Sequence, residues 1–177
     1  MDTDNNTGKF KNKYRIASTR WAAWDYSSNA AYFITICVAN RAHDFGRGMD
    51  GKMILSPLGQ SAQDCWDEIP KHFPFVELGE FVVMPNHVHG VIVINKQTQN
   101  FASLPLPNKF GPQSQNLASI VRGYKIGVTK FARQNNIPFA WQARYHDHVI
   151  RNTAEHERIG AYIHANPQNW GNDEFHT

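Results

Sequence analysis

His87–Ile94, with the sequence HVHGVIVI, is the stretch on which the predicted fold depends. Its second half, VIVI, is apolar at every position, as in a strand that is covered on both faces. Pro85 and Asn86 form a turn signal directly before it, and the apolar segment Phe75–Met84 precedes that turn. Together they predict a strand-turn-strand unit whose second strand is central in a sheet.

Further strands and helices are predicted on either side of this unit. Strands are predicted at Tyr32–Val38, at Lys52–Leu55 and within Trp141–Arg151, and helices from Ser56-Pro57 to about Ile69, from about Gln115 to Asn135 and from Thr153, as its cap, to about Ala165. This order predicts an α+β fold with a central, mostly antiparallel sheet and helices packed on it. We expect a single domain over residues 1–177 with a core at about 32–170. A polar tail is expected over 1–12, a loop at Asn40–Asp50 and a long flexible loop over 96–116.

The composition excludes several classes of protein. With two cysteines, Cys37 and Cys65, the chain has neither a disulfide scaffold nor a Cys-rich zinc site, and a reducing cytoplasm is the expected compartment. The first ten residues are too polar for a signal peptide, and the longest apolar run, Ala30–Ala39, is about half of what a bilayer requires. We therefore expect no membrane partner.

The charge is distributed unevenly along the chain. The formal net charge is +3, but Phe81–His146 contains no Asp or Glu and seven Lys or Arg, so that the rest of the chain carries −4. A surface that faces phosphates would have this character, because a carboxylate there would repel the ligand. The alternative is a chance arrangement in a chain rich in Gln and Asn. We favour the first interpretation.

His87 and His89 are two residues apart on a predicted strand, so that both side chains leave the same face of the sheet. Two imidazoles on one face can hold one metal ion. An H-x-H pair also arises by chance in a chain with nine histidines, and His146 and His148 form a second one. By itself the pair is therefore compatible with structural or surface histidines as well.

Tyr124 lies in the middle of the apolar stripe of the helix predicted at Gln115–Asn135. At about 100° per residue, the stripe faces the sheet and the cations of this helix face away from it. A tyrosine in this position is either a core residue or a nucleophile held at the sheet surface beside a metal. The phenol has an ordinary pKa near 10, so a nucleophilic role requires a base or a cation nearby.

Three blocks of the sequence resemble one protein family. MPNHVHGVIVI at 84–94 looks like the HUH motif of single-tyrosine transposases, and LASIVRGYKIGVTKFAR at 117–133 resembles their tyrosine helix. WQARYHDHVIRNTAEHERIGAYIHANPQNW at 141–170 is similar to the C-terminal signature of the REP-associated tyrosine transposases, an IS200-like branch. The resemblance extends from about Tyr32 to Trp170.

This resemblance implies a fold, a reaction and a set of site residues. The fold would be the HUH type, with a ferredoxin-like or RRM-like core. His87 and His89 would bind Mg²⁺ or Mn²⁺, and Tyr124 would attack a phosphodiester of single-stranded or hairpin-forming palindromic DNA. The products would be a 5′-phosphotyrosine intermediate and a free 3′-OH, so that strands are cut and rejoined. DNA contacts are expected from the basic residues Arg122, Lys125, Lys130, Arg133 and Arg144, and stacking of unpaired bases from Trp141 and Tyr145.

One position departs from the pattern of the related transposases of the insertion-sequence type. They often place a polar metal ligand four residues after the tyrosine, and here that residue is Val128. The candidates for a third ligand or a supporting residue are Glu77, Glu80, Asp147 and His148, without a preference among them. The alternative functions are a hairpin-DNA-binding protein that does not cleave, and a metal phosphohydrolase that uses water as nucleophile.

The resemblance further implies a bacterial, cytoplasmic protein associated with the nucleoid. No obligatory protein partner is expected, and the chain would act as a monomer or a homodimer. The target DNA sequence is not legible from these residues.

Overall fold

The computed structural model describes residues 24–96, 115–173 and 175, and the backbone of residues 9–10 and 13–14. Its strands are β1 Lys9–Phe10, β2 Lys13–Tyr14, β3 Ala30–Cys37, β4 Gly46–Met49, β5 Lys52–Leu55, β6 Val76–Val83, β7 His87–Ile94 and β8 His146–Ile150. Its helices are α1 Pro57–Asp67, α2 Ile69–His72, α3 Leu117–Gln134 and α4 Thr153–Ala165, with 3₁₀ turns at Ala39–Arg41 and Trp170–Asn172. Most of the predicted tail over 1–12 and most of the predicted loop over 96–116 lie outside the described residues.

The central sheet has the strand order β6-β7-β3-β8, and each neighbouring pair is antiparallel. β7, the strand of the HVHGVIVI segment, lies between β6 and β3 and is buried along nearly all of its length. Its apolar residues therefore contact protein on both faces, as the VIVI run predicts. The predicted α+β fold, a mostly antiparallel sheet covered by helices, is confirmed.

Different helices cover the two faces of this sheet. Val88 of β7 belongs to the main core, to which α1 and α3 contribute. Val91 faces the other side, where it packs in a second cluster with Ile163 of α4. Because side chains alternate along a strand, His87 and His89 lie on the face of Val91 and α4. We call this side the α4 face and the other side the α3 face.

The long helix α3 begins at a capping box. The side chain of Asn116 accepts a hydrogen bond from the Ser119 backbone N–H, and the Ser119 hydroxyl accepts one from the Asn116 N–H. The predicted apolar stripe of this helix is buried against the α3 face, as the 3.6-residue period requires.

Two local predictions are wrong. The segment Asn40–Asp50, predicted as a loop, contains β4, which pairs with β5. Its connecting residues Asp50 and Gly51 both have positive φ, at 50° and 70°, which is typical of the Asp-Gly turn of a tight hairpin. The cap of α4 is Asn152, not Thr153, because the Asn152 side chain accepts the hydrogen bond from the backbone N–H of Glu155.

Among the described residues, no helix has the length and apolar character needed to cross a membrane.

Candidate active site

The two histidines of β7 form the centre of the candidate site. Their Nε2 atoms lie 3.0 Å apart, and both side chains are almost fully buried. His87 Nδ1 lies 2.8 Å from Asn86 Oδ1, and His89 Nδ1 lies 2.8 Å from Thr35 Oγ1. Since an amide oxygen only accepts, His87 donates from Nδ1 and its Nε2 presents a lone pair. The contacts at Nδ1 thus orient both rings so that the two Nε2 atoms converge on one point.

The environment keeps both rings neutral. Burial lowers the pKa of His87 to about 2, assisted by the nearby His89 and the positive charge of Arg41. Burial also lowers the pKa of His89 to about 3. Neutral imidazole is the form that binds metal ions.

A carboxylate from the C-terminal segment joins the pair. The ligand atoms of His87, His89 and Asp173 all lie within 4.8 Å of one another. Asp173 directly follows the 3₁₀ turn at Trp170–Asn172, which brings the chain back to β7. Among the described residues, no other His, Cys, Asp or Glu side chains form such a group.

Among the described residues, the group around the histidine pair contains none of the four predicted candidates for a third ligand or supporting residue, which are Glu77, Glu80, Asp147 and His148. Three of them contact other side chains: Glu77 accepts a hydrogen bond from Asn95, Glu80 lies 3.9 Å from His156, and His148 lies 2.9 Å from Glu155. Burial raises the pKa of Tyr32, which belongs to the α3 face, and the negative charge of Asp147 adds to this shift. No pattern in the amino-acid sequence singles out Asp173.

Aromatic side chains from the C-terminal segment cover the histidines. The ring of Phe175 lies 4.6 Å from that of His87, and the ring of Trp170 lies 6.0 Å from it. The side-chain amide of Asn86 donates a 2.8 Å hydrogen bond to the Phe175 carbonyl and so ties this segment to the turn before β7. The rings of Trp170 and Phe175 therefore contribute to the burial of the pair.

Tyr162 of α4 is the tyrosine beside the histidine pair. Its hydroxyl lies 3.4 Å from His89 Nε2, the same atom that faces His87. The Tyr162 ring packs edge-on against Phe33 and His89, yet the residue is 45% exposed. Sequence reasoning did not single it out, although it lies inside the C-terminal signature at 141–170.

Tyr124 lies elsewhere, and the prediction that it sits beside the histidine pair is wrong. It is buried in the core of the α3 face, edge-on to Trp66 and tilted against Trp141. Burial, with a smaller contribution from Cys65, raises the pKa of Tyr124 well above its ordinary value of 10.0. Its hydroxyl has no hydrogen-bond partner among the described residues. Val128 is buried in the same core and does not face the histidines.

The predicted DNA-contacting cations come together on the outer side of α3. Together they line one groove of about 710 Å³, with members Arg122, Lys125, Lys130, Arg133 and Arg144. Trp141, one of the two predicted stacking residues, packs in the core, while Tyr145 lines the groove.

The amino-acid sequence is similar to those of known proteins. No family model matches the chain. It is 41% identical over 166 residues to an uncharacterised protein of Haemophilus influenzae, covering 90% of this chain and 92% of that protein, and the two belong to one family. It is 24% identical over 146 residues to the REP-associated tyrosine transposase of Escherichia coli K12, covering 82% of this chain and 71% of the transposase. The chain is a relative of the REP-associated tyrosine transposases.

A solved structure of a REP-associated tyrosine transposase bound to a REP hairpin has the same fold. It superimposes with a TM-score of 0.62 at 20% identity, covering 88% of this chain and 75% of that chain. The mostly antiparallel sheet with helices packed on it is thus a fold that this chain shares with that transposase.

Proposed function

We propose that the protein is a metal-dependent endonuclease and strand transferase for single-stranded, hairpin-forming DNA, with Tyr162 as its nucleophile. The observation that carries this proposal is the 3.4 Å distance between the Tyr162 hydroxyl and His89 Nε2. An exposed phenol beside two converging imidazoles supplies the nucleophile and the metal ligands on one surface. The name of the E. coli relative and the REP hairpin bound by the structural neighbour support the choice of substrate.

The donor atoms fit a divalent ion. Two adjacent positions of an octahedral ion with ligands at about 2.1 Å are about 3.0 Å apart, and the Nε2 atoms of His87 and His89 have this separation. Two lone pairs at that distance repel each other unless a proton or a cation lies between them. The carboxylate of Asp173 supplies a negative charge within reach. Nitrogen ligands combined with a carboxylate suit Mn²⁺ better than Mg²⁺, which prefers oxygen.

Asn166 offers a fourth donor. It follows Tyr162 by four residues, the spacing at which related transposases often place a polar ligand. Its side chain is buried, its Nδ2 donates to the Tyr162 carbonyl, and its Oδ1 has no hydrogen-bond partner among the described residues. A buried acceptor without a partner costs free energy, so it suits a bound cation. Counting from Tyr162 rather than Tyr124 thus removes the departure that Val128 represented.

Each group of the site would have its own role in the reaction. A divalent ion held at this site would polarise the scissile phosphodiester as a Lewis acid. The Tyr162 oxygen attacks phosphorus in line, a new O–P bond forms, and the bond to the 3′ oxygen breaks. The phenolic proton passes to solvent, to which Tyr162 is exposed, and the leaving 3′ oxygen takes up a proton from solvent. The strand then remains on Tyr162 as a 5′-phosphotyrosine, and the free 3′-OH can reverse the step or be replaced by another end.

All of these side chains come from one chain. Cleavage therefore requires no residue from a second copy, and we propose a site that acts in cis.

The test compares two tyrosine variants on the same substrate. Wild-type protein, Tyr162→Phe and Tyr124→Phe are incubated with labelled hairpin DNA carrying a single-stranded extension and Mn²⁺, and covalent adducts are separated on denaturing gels. We expect an adduct with the wild type and Tyr124→Phe and none with Tyr162→Phe. Cleavage without adduct in Tyr162→Phe would indicate a phosphohydrolase that uses water. Binding without cleavage in all three proteins would indicate a DNA-binding protein that does not cleave.

A further inference from the structure

The outer side of α3 carries a groove that the proposed reaction does not use. We call it the α3 groove; it is the 710 Å³ depression lined by the five basic residues named above and by apolar side chains. It runs from Ala118 to Gln134, along about 24 Å of helix. Arg122, Lys130 and Arg133 are exposed on it. Among the described residues that line it, none is acidic.

Part of the lining of the α3 groove is apolar. Ile126 is 60% exposed there, an unusual position for a large aliphatic side chain, and Tyr145 adds an aromatic ring to the lining. Lys125 holds the wall in place: its Nζ donates to the carbonyls of Gln142 and Arg144 at 2.9 and 2.8 Å. Lys125 is thus a positioning residue, while the exposed cations along the rim are directed to solvent.

We infer that the α3 groove binds single-stranded DNA, as a second site distinct from the place of cleavage. Proteins that bind unpaired strands combine cations for the phosphates with apolar and aromatic surface for the bases, and the groove has both. A duplex exposes no base faces to the apolar part of the lining, so its stem would contact the cations alone. The inference rests on the proposed function, because it assigns a second surface to the same DNA substrate.

The position of the groove connects it to the histidine pair. Arg144 and Tyr145 line the groove and also a small cavity of about 110 Å³, which Thr35 and His146 line as well. Thr35 lies opposite both His89 and His146 in the sheet, and its hydroxyl contacts His89 Nδ1. A strand that leaves the groove past Tyr145 therefore reaches the α4 face at the edge strand β8. The groove would hold the unpaired DNA that flanks the cleavage point.

The experiment measures binding without metal. Fluorescence anisotropy of labelled dT12 and of a blunt hairpin is followed in EDTA from 0.1 to 1 M salt. The test variant is Arg122→Gln/Lys130→Gln/Arg133→Gln, and the matched control is Arg47→Gln/Lys52→Gln/Lys71→Gln, which removes the same charge from exposed positions outside the groove. Circular dichroism and urea midpoints establish that both variants are folded.

The expected result follows from counterion release. Single strands contribute a slope of about −0.7 per phosphate contact in log K against log salt, so three lost contacts should flatten the slope by about 2. If the affinities converge near 1 M salt, the test variant binds dT12 about 100-fold more weakly at 0.1 M. The control variant should stay within about threefold of the wild type, and lengthening a single-stranded tail on the hairpin should tighten wild-type binding.

Three results would overturn the inference. If the test and control variants lose the same affinity for dT12, the effect is one of net charge alone. A blunt hairpin that binds as tightly as dT12, with the same loss in the test variant, would make the groove a duplex site. Polyglutamate that displaces dT12 only from the wild type would make it a site for acidic peptides. Because no metal is present and Tyr162 is unchanged, these results are independent of the adduct experiment, which alone decides the proposed function.

Discussion

Tyr124→Phe should stabilise the protein while leaving the proposed DNA cleavage intact. The Tyr124 hydroxyl is buried, the residue is 3% exposed, and the hydroxyl has no hydrogen-bond partner among the described residues. An unsatisfied buried hydroxyl costs about 1–3 kcal/mol, and Phe keeps the ring packed against Trp66 while removing that cost. The lost packing of one oxygen atom offsets a part of this gain. We expect the free energy of unfolding to rise by about 1 kcal/mol.

Tyr32→Phe is the matched control for this change. Tyr32 is also buried in the core, but its hydroxyl accepts a hydrogen bond from Trp24 Nε1 at 3.1 Å and donates to the Ser28 carbonyl at 3.4 Å. Removing that hydroxyl removes both of these hydrogen bonds. We therefore expect Tyr32→Phe to lower the free energy of unfolding by about 1 kcal/mol. The two variants remove the same atom and should change stability in opposite directions.

Urea denaturation followed by tryptophan fluorescence measures both changes, with an unchanged m-value as the sign that the unfolding reaction is the same. For a chain of this size, 1 kcal/mol corresponds to a shift in Tm of about 2–4 °C. The adduct assay with hairpin DNA and Mn²⁺ is run on the same samples. The reasoning is refuted if Tyr124→Phe destabilises as much as Tyr32→Phe, or if it abolishes the adduct.

Three further predictions concern the metal ligands, the core and the pH. Asp173→Asn should weaken Mn²⁺ binding at least about tenfold in isothermal titration, because it removes the negative charge of the donor set; an unchanged affinity would remove Asp173 from the site. Gly90→Ala should lower the free energy of unfolding by about 1–3 kcal/mol in urea, since its Cβ would overlap the Trp66 ring; a neutral effect would mean that the ring moves freely. Acid should destabilise the metal-free protein, because the pKa values of His87 and His89 lie below 6.5 in the folded state and the unfolded chain binds more protons under acid conditions. The two neutral rings contribute their full stabilisation above about pH 6.5. Between pH 7 and 5 the free energy of unfolding should fall by about 4 kcal/mol for the two rings together. Equal unfolding free energies at these two pH values would contradict the burial argument.

The parts of the fold that the sequence predicts are those that depend on local periodicity. The alternation in HVHGVIVI places His87 and His89 on one face of an inner strand, and the structure confirms this. The apolar stripe of α3 faces the sheet as its 3.6-residue period predicts. Strand β4, the partner of the predicted strand β5, was missed because it is short and half of its residues are glycine, although Asp50-Gly51 is a turn signal.

The α+β class, the histidine pair and the cationic outer side of α3 can thus be predicted from the amino-acid sequence alone. Which tyrosine meets the histidines depends on the tertiary structure. Periodicity shows that a helix buries one side, as for Tyr124, but it does not show which face of the sheet the helix covers. Here α3 packs on one face and α4 on the other, so Tyr162, 73 residues from His89 along the chain, reaches the histidine pair while Tyr124 does not. Asp173 joins the pair for the same reason: a contact between distant segments depends on how the elements pack, and no local pattern records it.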